Sequence, residues 1–280
     1  MEIVTALLSS LLLLISPVGF VVDQVAEDAI RSQLAGAESL EVRVDGGPSY
    51  QLLQGRVDRI RIAGRGISLV PGFRLAVAEL ETDPVDLEFK ALRNGQLALD
   101  EPFQGAVHLV LDEADMNAFL NSPMVLERLE SLQIGSLSNR AQERERDRYR
   151  IANPTLDFVG NDRLKITVEL EDLVQEGGLL IEAETGLNIS EGAQLMLTET
   201  TLTVNGQPAP SQLIETLLGD FSERLSLQQL EASGVTARVL NLAVEPDALD
   251  LALWVRVEPS AIAPPVTTEA VEPSETELVE

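Results

Sequence analysis

"RVDRIRIAGRGISLVPGFRLAVAELETDPVDLEF", residues 56–89, alternates apolar and polar side chains over much of its length. A period of two sends successive side chains to opposite faces of a strand. Ile60 and Ile62 then share one face, and Arg59 and Arg61 the other. Gly64-Arg65-Gly66 reads as a turn, "ISLV" as the next strand, and Pro71-Gly72 as the turn after it. Residues 73–89 give two further strands hinged at Asp83-Pro84. Phe73, Leu75 and Val77 lie on one face of the first, and Val85, Leu87 and Phe89 on one face of the second.

The same alternation extends outward on both sides. Upstream, "LEVRV" (40–44) sets Leu40, Val42 and Val44 against Glu41 and Arg43. Downstream the period changes within residues 103–134. A strand ends at Leu111, and Asp112 caps a short helix carrying Met116, Phe119 and Leu120. Ser122-Pro123 starts a second helix with Val125, Leu126, Leu129 and Leu132. "NRAQERERDRYR" (139–150) reads as a charged insert or linker, with a charge-laced helix as the alternative. Strands resume in "RLKITVEL" (163–170), "GLLIEAETGLNI" (178–189) and "AQLMLTETTLTVNG" (193–206). Residues 208–227 form the cleanest amphipathic helix, with Leu213, Leu217 and Phe221 on one stripe. Two strands, 234–244 and 248–257, close the pattern. This order predicts an α+β fold: a long, highly curved antiparallel sheet with amphipathic helices against its concave face.

The two ends differ from this middle. Residues 3–22 carry no charge, and as a helix would reach about 30 Å, enough to cross a bilayer core. Ser16-Pro17, however, reads as the start of a helix belonging to the fold, which leaves 1–15 as an apolar leader. A retained membrane anchor, a cleaved leader and a packed helix are its three readings. The expectation taken forward is membrane association through this segment, on an exported or periplasmic side that the sequence leaves open. Residues 258–280 hold six glutamates, no base and repeated proline, so a disordered acidic tail is expected there. Its protein partner is not identifiable from sequence. Residues 16–257 remain as one domain.

Composition removes several chemistries. The formal net charge is −26, with 46 acids to 20 bases, and aromatics make up 4%, which excludes a nucleic-acid partner. There is no cysteine, and the one histidine, His108, sits in an apolar strand, so thiol, zinc-thiolate and histidine-based catalysis are missing. No phosphate-binding glycine motif occurs. The acids in "LDEAD" (111–115) and "EPDALD" (245–250) read as helix caps and turns rather than a cation site. No catalytic residue, metal or cofactor is expected, and the protein is read as a non-enzyme.

"ISPVGFVVDQVAEDAIRSQL" (15–34), "PSYQLLQGRVDRIRIAGRGI" (48–67), "ELETDPVDL" (79–87) and "LDEADMNAFLNSP" (111–123), in that order, resemble the LmeA-like phospholipid-binding family, particularly its cyanobacterial branch. The resemblance covers roughly residues 16–257. It implies a tubular lipid-binding (TULIP/BPI-like) architecture around an apolar cavity. It also implies a non-enzymatic role in binding or moving phospholipid at the cell envelope or internal membranes. The expected partners are then a phospholipid or glycolipid and a membrane. Candidate groove positions are Phe73, Leu75, Val77, Phe119, Met124, Leu213, Leu217 and Phe221. Candidate head-group contacts are Arg56, Arg59, Arg61 and Arg65, whose alternative is cross-strand pairing with acids. The rival reading of the whole chain is a membrane-tethered interaction module that holds no lipid.

Overall fold

A computed structural model describes residues 27, 30–31, 34–45, 55–88, 98–131, 149–174, 177–210 and 226–262. Its strands divide into two large sheets and a two-stranded ribbon where one long sheet was expected, and every pairing is antiparallel.

The first sheet has six strands: β1 (Ser39–Asp45), β3 (Arg59–Val70), β4 (Phe73–Thr82), β6 (Phe103–Asp112), β13 (Ala248–Val257) and β12 (Val235–Glu245), in that spatial order. A small ribbon, β2 (Arg56–Val57) with β5 (Val85–Asp86), flanks it. Alternation dictates its inner face. Val42, Ile62, Leu80 and Val107 meet across four neighbouring strands in direct register, and all four are buried. Leu253 continues the row on β13. Ile30 of the N-terminal helical residues and Leu230 of a 3₁₀ helix (Leu227–Ser233) belong to the same cluster.

Gly64-Arg65-Gly66, read above as a turn, lies inside β3, which runs unbroken to Val70. Gly66 adopts φ +57°, a left-handed conformation that costs glycine little. The chain kinks there without reversing. Buried positions are Ile60, Ile62 and Gly64 before the kink and Ile67 and Leu69 after it, so the inward parity changes. The paired strand β4 changes parity at the same level, from Ala78, Leu80 and Thr82 to Leu75 and Phe73. Ile67 folds over Gly64, where an added Cβ would meet its side chain at 2.6 Å. Pro71-Gly72 does make the predicted reversal.

The second sheet has five strands: β7 (Tyr149–Gly160), β8 (Arg163–Asp172), β9 (Gly178–Ser190), β10 (Gln194–Val204) and the short β11 (Gln207–Pro208), each pairing with the next. Asn161-Asp162 and Asn205-Gly206 close two-residue loops with φ positive at both positions, as primed hairpin turns require.

Among the described residues few helices stand beside these sheets. α1 (Glu113–Leu120) follows β6 directly. Asp112 is its N-cap by position, yet its side chain makes no capping bond; Asp247 O accepts the first helical N–H instead. α2 (Pro123–Ser131) starts as predicted, with Ser122 Oγ accepting from Val125 N. A last turn, α3 (Pro259–Ile262), lies within the segment expected to be a tail, and Ala261 packs on the core. The rest of that tail, the leader 1–15, residues 139–148 of the charged insert and the helix expected around Leu213, Leu217 and Phe221 lie outside the described residues.

The expected membrane association through the N-terminal apolar segment needs correction. Among the described residues no helix is long and apolar enough to cross a membrane. Twenty uncharged residues supply the length of a span, but length is a property of composition and does not establish a spanning helix. No N-terminal anchor is shown.

Candidate functional site

The residues that join the two sheets define what remains open between them. α1 holds the first sheet through Phe119, whose ring meets Phe73 edge-on with centroids 5.0 Å apart. Arg74 of β4 also pairs with Asp115 on α1 and, at 2.8 Å, with Glu38. On its other side α1 carries Glu113 and Asn117, with Asn121 at its C-cap, at i, i+4 and i+8. These three side chains bond the backbone of β7. Phe158 N donates to Glu113 Oε2 (2.7 Å), and Leu156 N donates to Asn117 Oδ1 (2.8 Å). Asn117 Nδ2 donates to Leu156 O (2.8 Å), and Asn121 Nδ2 to Pro154 O (2.8 Å).

The match is geometric. Four residues of helix rise about 6 Å, and two residues of strand about 6.6 Å. One helical stripe therefore meets residues 158, 156 and 154 in step. β7 is an edge strand whose outer backbone groups would otherwise lack a strand partner. The polar residues of "LDEADMNAFLNSP" supply that partner.

Two turns of the second sheet fix the same end to β12. Asp162 N donates to Val244 O (3.3 Å) and Val244 N to Asp162 Oδ1 (3.0 Å). At the β9–β10 turn, Val239 N donates to Gly192 O (2.6 Å) and Leu227 N to Ala193 O (2.8 Å). Beneath these contacts Leu156, Phe158, Leu164 and Val244 form a small buried cluster with Met116, Leu120, Ile166, Leu187 and Leu249 around it.

Away from that joint the two faces of the second sheet differ sharply. One is charged: Arg150 pairs with Glu171, Arg163 with Glu184, and Lys165 with Glu182 at 2.7 Å. Hydrogen bonding to Lys165 holds the Glu182 carboxyl below its ordinary range. The other is apolar. Register sets Ile151 beside Leu170, Leu170 beside Leu179, Val168 beside Ile181, and Ile181 beside Val204. These side chains are half-buried, and among the described residues they stand outside both core clusters. Thr185, bonded to Thr200 (2.7 Å) and to Thr198 O, keeps its hydroxyl satisfied where the β9–β10 register shifts.

Of the residues named from sequence, those described lie on the first sheet, its flanking ribbon and the helices α1 and α2. Phe73, Leu75 and Phe119 are buried together in the core of the first sheet, while Val77 is half-buried. Met124 on α2 is 43% exposed. Leu213, Leu217 and Phe221 lie outside the described residues. Of the arginines, Arg56 pairs with Asp86 (2.8 Å), Arg59 with Glu81 (2.8 Å) and Arg61 with Asp45 (2.6 Å). Arg61 Nε is buried without a hydrogen-bond partner. Arg65 is exposed and has no acidic partner among the described residues. Sequence reasoning passed over Val168, Leu170, Leu179, Ile181 and Val204. The signal of the first four was the apolar alternation within "RLKITVEL" and "GLLIEAETGLNI".

No group of three or more histidine or acidic side chains suited to a metal occurs among the described residues. What the fold defines is a β-rich chain with a half-buried apolar sheet face outside its two core clusters. A family model described as LmeA-like phospholipid-binding matches residues 15–253, and the chain belongs to that family. Neither a curated protein nor a solved structure matches it.

Proposed function

We propose that this protein binds and carries phospholipid without catalysis, laying acyl chains on the apolar face of the five-stranded sheet. The observation that carries the reading is that face: Val168, Leu170, Leu179, Ile181 and Val204 stand half-buried outside the cores of a phospholipid-binding family member. An apolar lining with few polar groups suits acyl chains, which need area rather than hydrogen bonds. The tubular architecture expected from sequence belongs to the same reading. For the head group, Arg65 is the candidate, since the guanidinium groups of Arg56, Arg59 and Arg61 are engaged by acids.

The test is native mass spectrometry of the full chain, purified without detergent and then extracted with organic solvent. A phospholipid released as mass on denaturation is expected, and Ile181→Glu is expected to remove it. A clean apo mass, with no uptake from added vesicles, overturns the reading and favours an interaction module without lipid. A glycolipid in the extract would keep the apolar face and change the ligand class. Arg65→Glu should lower any preference for anionic over neutral lipid; an unchanged preference removes Arg65 from the site.

A further inference from the structure

We infer that the β8–β9 hairpin tip is the point at which this protein docks on a phospholipid bilayer, through Leu173 and Val174; the inference rests on the lipid-face reading above. Among the described residues the second sheet is fastened by α1 along β7 from Pro154 to Phe158 and at one end, where its 161–162 and 191–193 turns are bonded to β12 and to the start of the 3₁₀ helix. The β8–β9 and β10–β11 turns lie at the opposite end, where Asn205 N donates to Leu180 O and Leu180 N to Asn205 Oδ1. At that end Leu173 is 58% exposed and Val174 73%. They are two large aliphatic side chains adjacent in sequence. Asp172 shapes the tip that presents them: its carboxylate accepts from Val174 N (2.9 Å), and its N–H donates to Gly177 O (3.1 Å).

The tip continues the apolar face outward. Leu170 beside Leu179 is the first apolar pair inside it, and Val168 beside Ile181 the next. A phospholipid has almost no solubility as a monomer, so a ligand for that face must come from a bilayer. Entry at the end away from β12 avoids breaking the contacts there. Charge selects the surface. Glu171 is held by Arg150 and Glu169 by Asn153, leaving little positive charge near the tip of a chain whose net charge is −26. An anionic surface would repel such a protein. The occupant is therefore a zwitterionic bilayer, into which the two aliphatic side chains insert.

The experiment is flotation of the full chain with phosphatidylcholine vesicles, comparing wild type with Leu173→Ser/Val174→Ser. The wild type floats, and the double variant loses about tenfold or more of its vesicle affinity with its melting midpoint kept. Equal flotation of both, or flotation of neither, overturns the proposal. Val174→Trp gives a second readout: its emission shifts to the blue on vesicles, and an unmoved spectrum counts against docking. Organic extraction separates the two readings. If the wild type floats, the double variant does not, and no lipid is extracted, docking stands and the lipid-face reading falls. If lipid is extracted but flotation is equal, the reverse holds.

Discussion

The two sheets are built from the same alternation and end in different states. In the six-stranded sheet the apolar side chains are consumed by packing: Ile67, Leu75, Phe103 and Val257 are each at most 2% exposed. In the five-stranded sheet burial is less complete: Leu156, Phe158, Leu164 and Leu202 are 6–9% exposed, and Val168, Leu170 and Ile181 are only half-buried. Alternation says that a face is apolar; it does not say what covers it. One sheet spends its apolar face on packing; in the other, among the described residues, part of that face is only half-buried.

Truncation at matched positions tests that contrast most directly. Leu75→Ala should cost about 2–5 kcal/mol, through lost burial and the cavity left behind. Ile181→Ala should cost at least about 1 kcal/mol less, since its surroundings are only partly packed. Its effect should appear instead as weaker phospholipid retention, which Leu75→Ala leaves intact in the molecules that stay folded. Denaturant midpoints and lipid extraction on the two variants decide it. Equal losses of stability would mean that the second sheet is as fully packed as the first.

A smaller effect is expected where the sheets are joined. Asn117→Ala strands both the N–H and the carbonyl of Leu156 on the β7 edge, a cost of about 1–3 kcal/mol. Faster hydrogen exchange should follow at Leu156 and Phe158, with β8–β9 pairing unchanged. Uniform acceleration across all strands would show that the bonds from α1 have no separate role in seating β7.

These bonds also show where sequence reading stopped. Pro71-Gly72, the Ser122-Pro123 helix start and the run of strands were legible because each is a local matter of backbone preference or side-chain period. Glu113, Asn117 and Asn121 were not. Polar residues at i, i+4 and i+8 read as a solvated helix face, and only the arrival of β7, more than thirty residues later in the chain, turns them into hydrogen-bond partners. Gly64-Arg65-Gly66 failed for a related reason: a left-handed glycine serves a kink as well as a turn, and the choice depends on the neighbouring strand β4. Val168 and Ile181 were not singled out because they look like any half-buried strand, whereas aromatic and helical residues such as Phe73 and Phe119 stand out in a sequence.

The mildest expected effect lies on the outer face of the first sheet, at a side chain with no proposed part in lipid binding. His108 on β6 has Asp250 at 2.9 Å from Nε2 and Glu79 at 3.3 Å from Nδ1. A neutral imidazole has one N–H and can satisfy one of these carboxylates, while its second nitrogen turns a lone pair toward the other. Only the imidazolium serves both. Hydrogen bonding to Asp250, with Glu79 adding to it, accordingly raises the His108 pKa above the usual value of about 6.5. Because the folded protein holds this proton more tightly than the unfolded chain, the stabilisation is complete below the ordinary histidine value and is lost as pH rises through the raised one. Solvent around this partly exposed ring screens the effect, so it stays below the truncations above. His108→Gln should flatten stability against pH over that window and leave lipid retention unchanged. A wild-type profile that rises through the same window would mean that His108 is not held charged between β4 and β13, and that the first sheet is joined there by packing and backbone pairing alone.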